Sequence, residues 1–517
     1  MAAPTSSKNL TLEHQPLKEV LSIAWPTVIT MTSYTVMQFV DKLMIGQVGP
    51  LDLAAASNGG IWAFVPLAAA FGFLTVINTF VSQNVGAQRP ERGPAYAWCG
   101  LWISILIWLV FLIPYALILP YIFSAMPEAT PELVEKETGY AQIELLGAVV
   151  LLGSRSMNNF FFGLQRPRVV TFSAIIGNII NAVANYILIF GEEGCASIGI
   201  PGIPGIPAMG VYGAAIGTVI GTFFEFIIPF AIFLGPKLNN SLKTRSAWRF
   251  HRESAKGLFT IGWPPAVQFV SEIICWAIFM TVLVGSYGEA QMTASWIVLT
   301  YMHLSFMPAV GLSVATNSLV GKYIGAGKPD VAVKRARLSL IVAMSYMTLC
   351  TIIFIVFRNP LVQLFIGGDA TVEEIDVIIV IGSQLMICAA FFQTVDSIGI
   401  VYTGALRGAG DTKWPSMITV IFSWTLIVGL GWVISNIWPE LQALGPWIGA
   451  AIYVIAFGIM MGIRFELGAW RKLDLLKVTA AAQKPSIIGP GPPASEADAT
   501  IRDIADAIGD AEMKANE

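Results

Sequence analysis

The chain runs to 517 residues, of which 55% are hydrophobic and only 12% charged, with a mean hydropathy of +0.69. Length alone would allow several soluble domains, but this composition places most of the chain in lipid instead. The net charge of −3 gives no sign of a nucleic-acid partner, and none is expected; residues 1–16 lack the basic start, short apolar core and small-residue cleavage site of a signal peptide. The first apolar segment is therefore expected to stay in the mature protein.

In chain order, twelve apolar runs are long enough to span a bilayer: 18–45, 57–83, 96–122, 140–163, 169–190, 210–235, 258–285, 291–321, 336–357, 375–405, 414–436 and 446–465. Several exceed the roughly 30 Å required, so tilted or bent helices are expected. Pro26, Pro66, Pro114, Pro264, Pro265 and Pro308 mark the bends. Lys and Arg crowd one set of connections, with the largest group between the sixth and seventh runs (Lys237, Lys243, Arg245, Arg249, Arg252, Lys256). The opposite set holds Lys42, Lys136 and Arg358. That asymmetry predicts cytoplasmic N- and C-termini.

The sequence also repeats. Val85–Glu91 (VGAQRPE) matches Ile324–Asp330 (IGAGKPD) at an offset of 239 residues. Trp25-Pro26 matches Trp263-Pro264 at an offset of 238, and Gly163–Arg166 matches Gly404–Arg407 at 241. Six spans per half is an even number, so both halves enter from the same side, related by a pseudo-twofold axis along the membrane normal. The expected fold is an all-α polytopic membrane protein of twelve transmembrane helices in two six-helix lobes. Its divisions are a cytoplasmic N-terminus (1–17), an N-lobe (18–235), a cytoplasmic connection (236–257), a C-lobe (258–470) and a flexible cytoplasmic tail (471–517). In that tail Ile501, Ile504 and Ile508 share a helical face.

Charge inside a lipid-spanning helix is costly and marks a pathway or a pair. Asp41 near the far end of the first span, Glu272 mid-way through the seventh and Asp396 mid-way through the tenth are the candidate coupling-ion carboxylates. Asp41 has a competing reading, as the residue that ends its helix at the interface beside Lys42. Arg155 in the fourth span is the repeat mate of Asp396. A structural pairing is expected for it, with a carbonyl or a carboxylate such as Glu144. Asn178, Asn181 and Asn185 share one face of the fifth span and suit either a hydrated cavity or a helix seam. Gln38 and Gln268 each stand about one turn before a carboxylate, and Tyr34 is the approximate repeat mate of Glu272. These complete the expected polar lining. His303 reads as a packing residue. Cys99, Cys195, Cys275, Cys350 and Cys388 show no ligand spacing and read as small apolar fillers. No HExxH, GxSxG or Walker A sequence occurs, and the membrane carboxylates sit at different depths. Neither an enzyme nor a bound cofactor is expected.

The stretch QFVDKLMIGQVGPLDLAAAS at the first span resembles the VDxxMxGxxGxxxLAA signature of the multidrug and toxic compound extrusion (MATE) family. VYTGALRGAGDTKWP resembles that family's GxLRGxxDT stretch, and GLQRPR followed by NAVANYILIFG resembles its helix 4–5 region. The resemblance covers about 18–470. It implies a secondary exporter in a bacterial inner membrane, acting as a monomer, that exchanges hydrophobic, often cationic drugs or metabolites for Na+ or H+ by alternating access. Glu272 with Asp396 looks like the NorM-like branch, whose equivalent carboxylates bind the coupling cation in the C-lobe. That makes sodium at those two residues the one metal ion expected. Asp41, Asn181 and Asn185 match polar N-lobe positions tied to coupling. Lys42, and Phe392 one turn before Asp396, depart from the family pattern; the latter leaves no phenol there. The rival reading is a flippase for lipid-linked oligosaccharide or another lipid, which would line its cavity with several arginines.

Overall fold

In a computed structural model, residues 15–126, 130–195, 199, 201–365 and 372–476 are described. The tail face at Ile501, Ile504 and Ile508 and most of the N-terminal segment lie outside them. Among the described residues, twelve helices are long and apolar enough to cross a membrane. They are α1 (Pro16–Gly46), α2 (Pro50–Gly86), α3 (Pro90–Ser124), α4 (Pro131–Gly163), α5 (Pro167–Phe190), α6 (Gly210–Leu234), α7 (Arg252–Tyr287), α8 (Glu289–Gly325), α9 (Pro329–Val356), α10 (Ile375–Ala409), α11 (Lys413–Ile437) and α12 (Leu444–Glu466). Six of them start on proline, whose missing N–H and fixed φ suit a first helical position. The Thr130 hydroxyl caps α4 by accepting from the Leu133 amide at 3.3 Å. Prolines stand inside α1, α2, α7 and α8, and π-helical segments interrupt α3 (Trp108–Leu112), α7 (Phe279–Val284) and α11 (Ser423–Leu430).

Helices α1–α6 pack on one another and α7–α12 likewise. The two bundles touch chiefly where α2 meets α8, and where α1 meets α8 and α2 meets α7. The latter two contacts exchange under the repeat, as a twofold axis requires. Glycines show the same reciprocity at atomic scale. A Cβ on Gly86 would stand 1.8 Å from the Lys322 carbonyl oxygen, and one on its mate Gly325 would stand 2.0 Å from that of Gln83, the mate of Lys322. A Cβ on Gly72 would lie 2.3 Å from the Pro265 carbonyl oxygen, and one on Gly311 2.7 Å from the Val28 Cα. In lipid, where apolar burial does not distinguish a neighbouring helix from an acyl chain, such backbone approach holds helices together. The matched turns agree as well: Arg89 N donates to Asn84 O at 2.9 Å, and Lys328 N to Tyr323 O at 2.8 Å.

The end of the molecule that carries these turns is its basic end. Hydrogen bonds join the lobes there: Thr79 Oγ1 to Arg407 O (2.9 Å), Gln83 Nε2 to Gly408 O (2.9 Å) and Ser318 Oγ to Phe162 O (2.7 Å). The strongest tie is buried Glu19 on α1. It accepts from Arg335 Nε at 2.6 Å, Tyr323 Oη at 2.7 Å and Lys322 Nζ at 3.2 Å, all from the opposite lobe. At the far ends of the same joining helices, side chains are exposed instead, including Val36, Phe39 and Leu43 on α1, Ile61 and Phe64 on α2, and Trp296 and Leu304 on α8.

Candidate functional site

In the N-lobe, Gly213, Gly217 and Gly221 recur every fourth residue on α6 and let α5 approach it closely. A Cβ on Gly217 would stand 2.0 Å from Asn185 Oδ1, and one on Gly221 would stand 2.5 Å from Asn181 Cβ. This packing presents the two asparagines to α1. Asn185 Nδ2 donates to Asp41 Oδ1 at 2.6 Å, and Asn181 also reaches that carboxylate. The Oδ1 atoms of both asparagines are buried without a hydrogen-bond partner. Glu144 on α4, hydrogen-bonded to Tyr140, lies within electrostatic range of Asp41. Two carboxylates thus share this pocket with spare amide oxygens beside them, a donor set that suits a proton or a small hard cation.

One level nearer the basic end sits a second group. Glu225 on α6, buried, accepts from Tyr34 Oη through a short hydrogen bond and from Asn158 Nδ2 at 2.8 Å. The Arg155 guanidinium lies 4.6 Å from the Tyr34 ring centroid and 4.9 Å from that of Phe71, with its Nε buried and without a hydrogen-bond partner. This group carries one carboxylate and one guanidinium.

The C-lobe holds the counterpart. Glu272 on α7 accepts from Tyr453 Oη on α12 at 3.1 Å and bonds Gln268. Gln268 Oε1 in turn accepts from Arg407 Nη2 (3.1 Å) and Ser416 Oγ (3.1 Å). Asp396 on α10 lies within electrostatic range of both Glu272 and Tyr453. The pattern repeats with its members exchanged. In the N-lobe α1 supplies the phenol and α6 the carboxylate, whereas in the C-lobe α7 supplies the carboxylate and α12 the phenol. Here two carboxylates face a single guanidinium.

The MatE family signature matches residues 26–187 and again 265–433, two stretches that begin 239 residues apart, the spacing of the internal repeat. The chain belongs to the MatE family. Curated relatives include the multidrug resistance protein MdtK of Edwardsiella ictaluri, 28% identical over 455 residues that cover 87% of this chain and 95% of the relative. The multidrug resistance protein NorM of Burkholderia vietnamiensis is 28% identical over 455 residues, covering 86% and 92%. Among solved structures, a MATE transporter in complex with MaL6 superposes with a TM-score of 0.76 at 20% identity, covering 89% of this chain and 98% of that one. An outward-facing MATE transporter of the MOP superfamily gives 0.75 at 20% identity, covering 89% and 97%.

Within this MatE chain, the structure brings Glu272, Asp396 and Gln268 into one group, and Asp41, Asn181 and Asn185 into another. Tyr34 and Arg155 form a third. It separates other expected members. Asn178 donates to Ser33 O at 3.0 Å and so stitches α5 to α1 at a seam. Gln38 is exposed on α1, a position from which no hydrogen bond to Asp41 is formed. Arg155 does not pair with Glu144, which lies three turns away on α4 and faces Asp41 instead. Lys42 is exposed and lies in electrostatic range of His303 on α8 rather than fastened to Asp41. With Phe392 at its position, the phenol of this group is Tyr453, which donates to Glu272 and lies within electrostatic range of Asp396. Sequence reasoning missed Glu225, although FFEFIIPF shows the same sign as Asp41, a carboxylate inside an apolar run. It used Arg407 as a repeat landmark and gave it no site role, and nothing local marked Tyr453.

Proposed function

We propose that this MatE chain is a secondary antiporter that exports hydrophobic, often cationic organic compounds in exchange for Na+ or H+ by alternating access. Its relatives' names, multidrug resistance proteins, support the substrate class. The observation that carries the coupling is the charge balance of the C-lobe group, Glu272 and Asp396 against Arg407 alone. A carboxylate held in a lipid-embedded bundle costs several kcal/mol unless neutralised. Arg407 offsets one, so the other calls for a proton, a sodium ion or a cationic substrate. Mutual exclusion at that group gives each ligand different affinity for the two states, and coupling of about 1–3 kcal/mol is typical of such linkage. Asp41 with Glu144 forms a second acceptor in the N-lobe.

The closed basic end and the exposed far ends of the joining helices support an outward-facing arrangement with the basic end, both termini and the 236–257 connection in the cytoplasm of a bacterial inner membrane. The protein acts as a monomeric transporter without a cofactor and without catalysing a reaction. Among the described residues, the two arginines that lie in the carboxylate groups are engaged within their own lobes, Arg155 on Tyr34 and Arg407 on Gln268, and buried Arg335 is held by Glu19. That leaves no free pair for the pyrophosphate a flippase would carry.

The test is dye efflux from proteoliposomes bearing imposed Na+ or H+ gradients. Glu272→Gln and Asp396→Asn should each reduce extrusion of a fluorescent cation to background while the purified variants melt normally. Undiminished extrusion in either variant would sink the assignment, and the gradient that drives wild-type efflux identifies the coupling ion.

A further inference from the structure

Between α6 and α7 the chain makes a short helix, Pro236–Leu242, turns through Lys243, whose φ is +53°, and runs through a single 3-10 turn, Ser246–Trp248, as a strap along the outside of α3 that ends at the first residue of α7, Arg252. The strap is fixed in place by indoles. Trp98 Nε1 donates to Thr244 O at 2.8 Å, and Trp102 Nε1 to Trp248 O at 2.8 Å. Cys99 Sγ meets His251 O at 3.4 Å, where α7 begins. Arg245 is anchored twice, its amide to Asn239 Oδ1 (2.9 Å) and its Nε to Leu234 O (2.8 Å).

The level of the strap follows from α3. Trp98 and Trp102 stand roughly 12 and 18 Å from the start of that helix at the usual rise per residue. Beyond them the same helix exposes Leu106, Leu109, Val110 and Phe111. The strap therefore marks the border between an apolar band and the basic end. At that border it exposes Lys243, Arg245, Arg249 and Arg252 together with Trp248 (53%) and Phe250 (58%). Among the described residues, none of these four cations forms a salt bridge. Amphipathic aromatics at an apolar–polar border with clustered cations are the signature of headgroup contact.

We propose that the 243–252 strap is a binding site for anionic glycerophospholipid, with Arg245, Arg249 and Arg252 meeting the phosphates and Trp248 and Phe250 entering the acyl-chain boundary. Arginine suits this role because its planar fork takes phosphate oxygens two at a time, and the strap's backbone is already held by Trp98 and Trp102. Since the strap is the covalent link between the lobes, lipid held there anchors that link to the bilayer surface.

The experiment compares melting midpoints of the full-length protein in nanodiscs of phosphatidylglycerol and of phosphatidylcholine. Wild type should melt higher in phosphatidylglycerol. The triple variant Arg245→Gln, Arg249→Gln, Arg252→Gln should lose most of that difference, read as the gap between the two lipids so that loss of the Arg245 Nε bond to Leu234 O, which acts equally in both, cancels. A control triple elsewhere on the basic end, Arg89→Gln, Lys334→Gln, Lys472→Gln, should retain it. Trp248→Ala should also shrink the difference with the arginines intact. Full retention by the strap triple, equal loss in the control, or reproduction of the shift by inorganic phosphate added to phosphatidylcholine discs would each overturn the proposal.

Discussion

A carboxylate that accepts from a phenol and an amide, with a guanidinium stacked beside the phenol, is a small balanced unit, and Glu225 is its centre. Replacing Glu225 by Leu leaves Arg155 without the carboxylate whose field acts on it and deprives Tyr34 and Asn158 of their shared acceptor. Replacing Arg155 by Leu leaves Glu225 as an uncompensated charge. Breaking one side of such a buried arrangement costs about 3–5 kcal/mol, whereas removing both sides together is often far milder. Each single variant is expected to lower the melting temperature of the purified protein clearly. The double variant should recover part of the loss, with a coupling of about 0.5–3 kcal/mol. Strictly additive losses would show that the two residues act independently. Tyr34→Phe removes only a donor and is expected to cost less than either.

At the scale of elements, the joining helices depend on glycine wherever one backbone rests on another. Gly86→Ala would drive a methyl group to 1.8 Å from the Lys322 carbonyl oxygen, and Gly325→Ala to 2.0 Å from that of Gln83. Backbone offers no side chain that can swing aside, so α2 and α8 must part at the basic end. Because the contacts are repeat mates, both variants should reduce dye extrusion to a similar degree. Gly429→Ala, which meets nothing closer than 3.3 Å, should leave it near wild type. Loss in only one of the Gly86 and Gly325 variants would argue against the reciprocal joint. These helices were legible in the sequence because apolar runs and repeat landmarks report them directly. Their true ends run further, as at α4, which begins at Pro131 rather than at residue 140 because a capped, polar first stretch continues the helix beyond the apolar part. The site was legible only in part. Glu272 and Asp396 stand out as charges in apolar text. The partners that complete their group, Tyr453 and Arg407, lie far away in sequence and are brought to it only by the packing of the C-lobe helices on one another.

For the whole molecule, alternation between two openings requires that the basic end come apart, and the Glu19 group is what holds it most firmly. Glu19 is 3% exposed and meets Arg335, which is 4% exposed, so solvent screens this pair little. Lys322 is more accessible and contributes less. Glu19→Gln keeps a hydrogen-bond acceptor but removes the charge, at a cost to the closed end on the order of 3–5 kcal/mol for a buried pair. That is enough to move the ratio of closed to open basic ends by a factor of about a hundred or more. Spin labels at Glu91 and Lys334, exposed on opposite lobes at this end, read the change directly. Wild type should give a short distance, and Glu19→Gln should add a longer one at the expense of the first. The reversed pair Glu19→Arg with Arg335→Glu should restore some of the short distance, because the attraction across the joint returns with its sign exchanged. If the distance distribution is the same in wild type and in Glu19→Gln, the group is a fixed brace inside one rigid state, and the opening must run through another part of the α1–α8 contact.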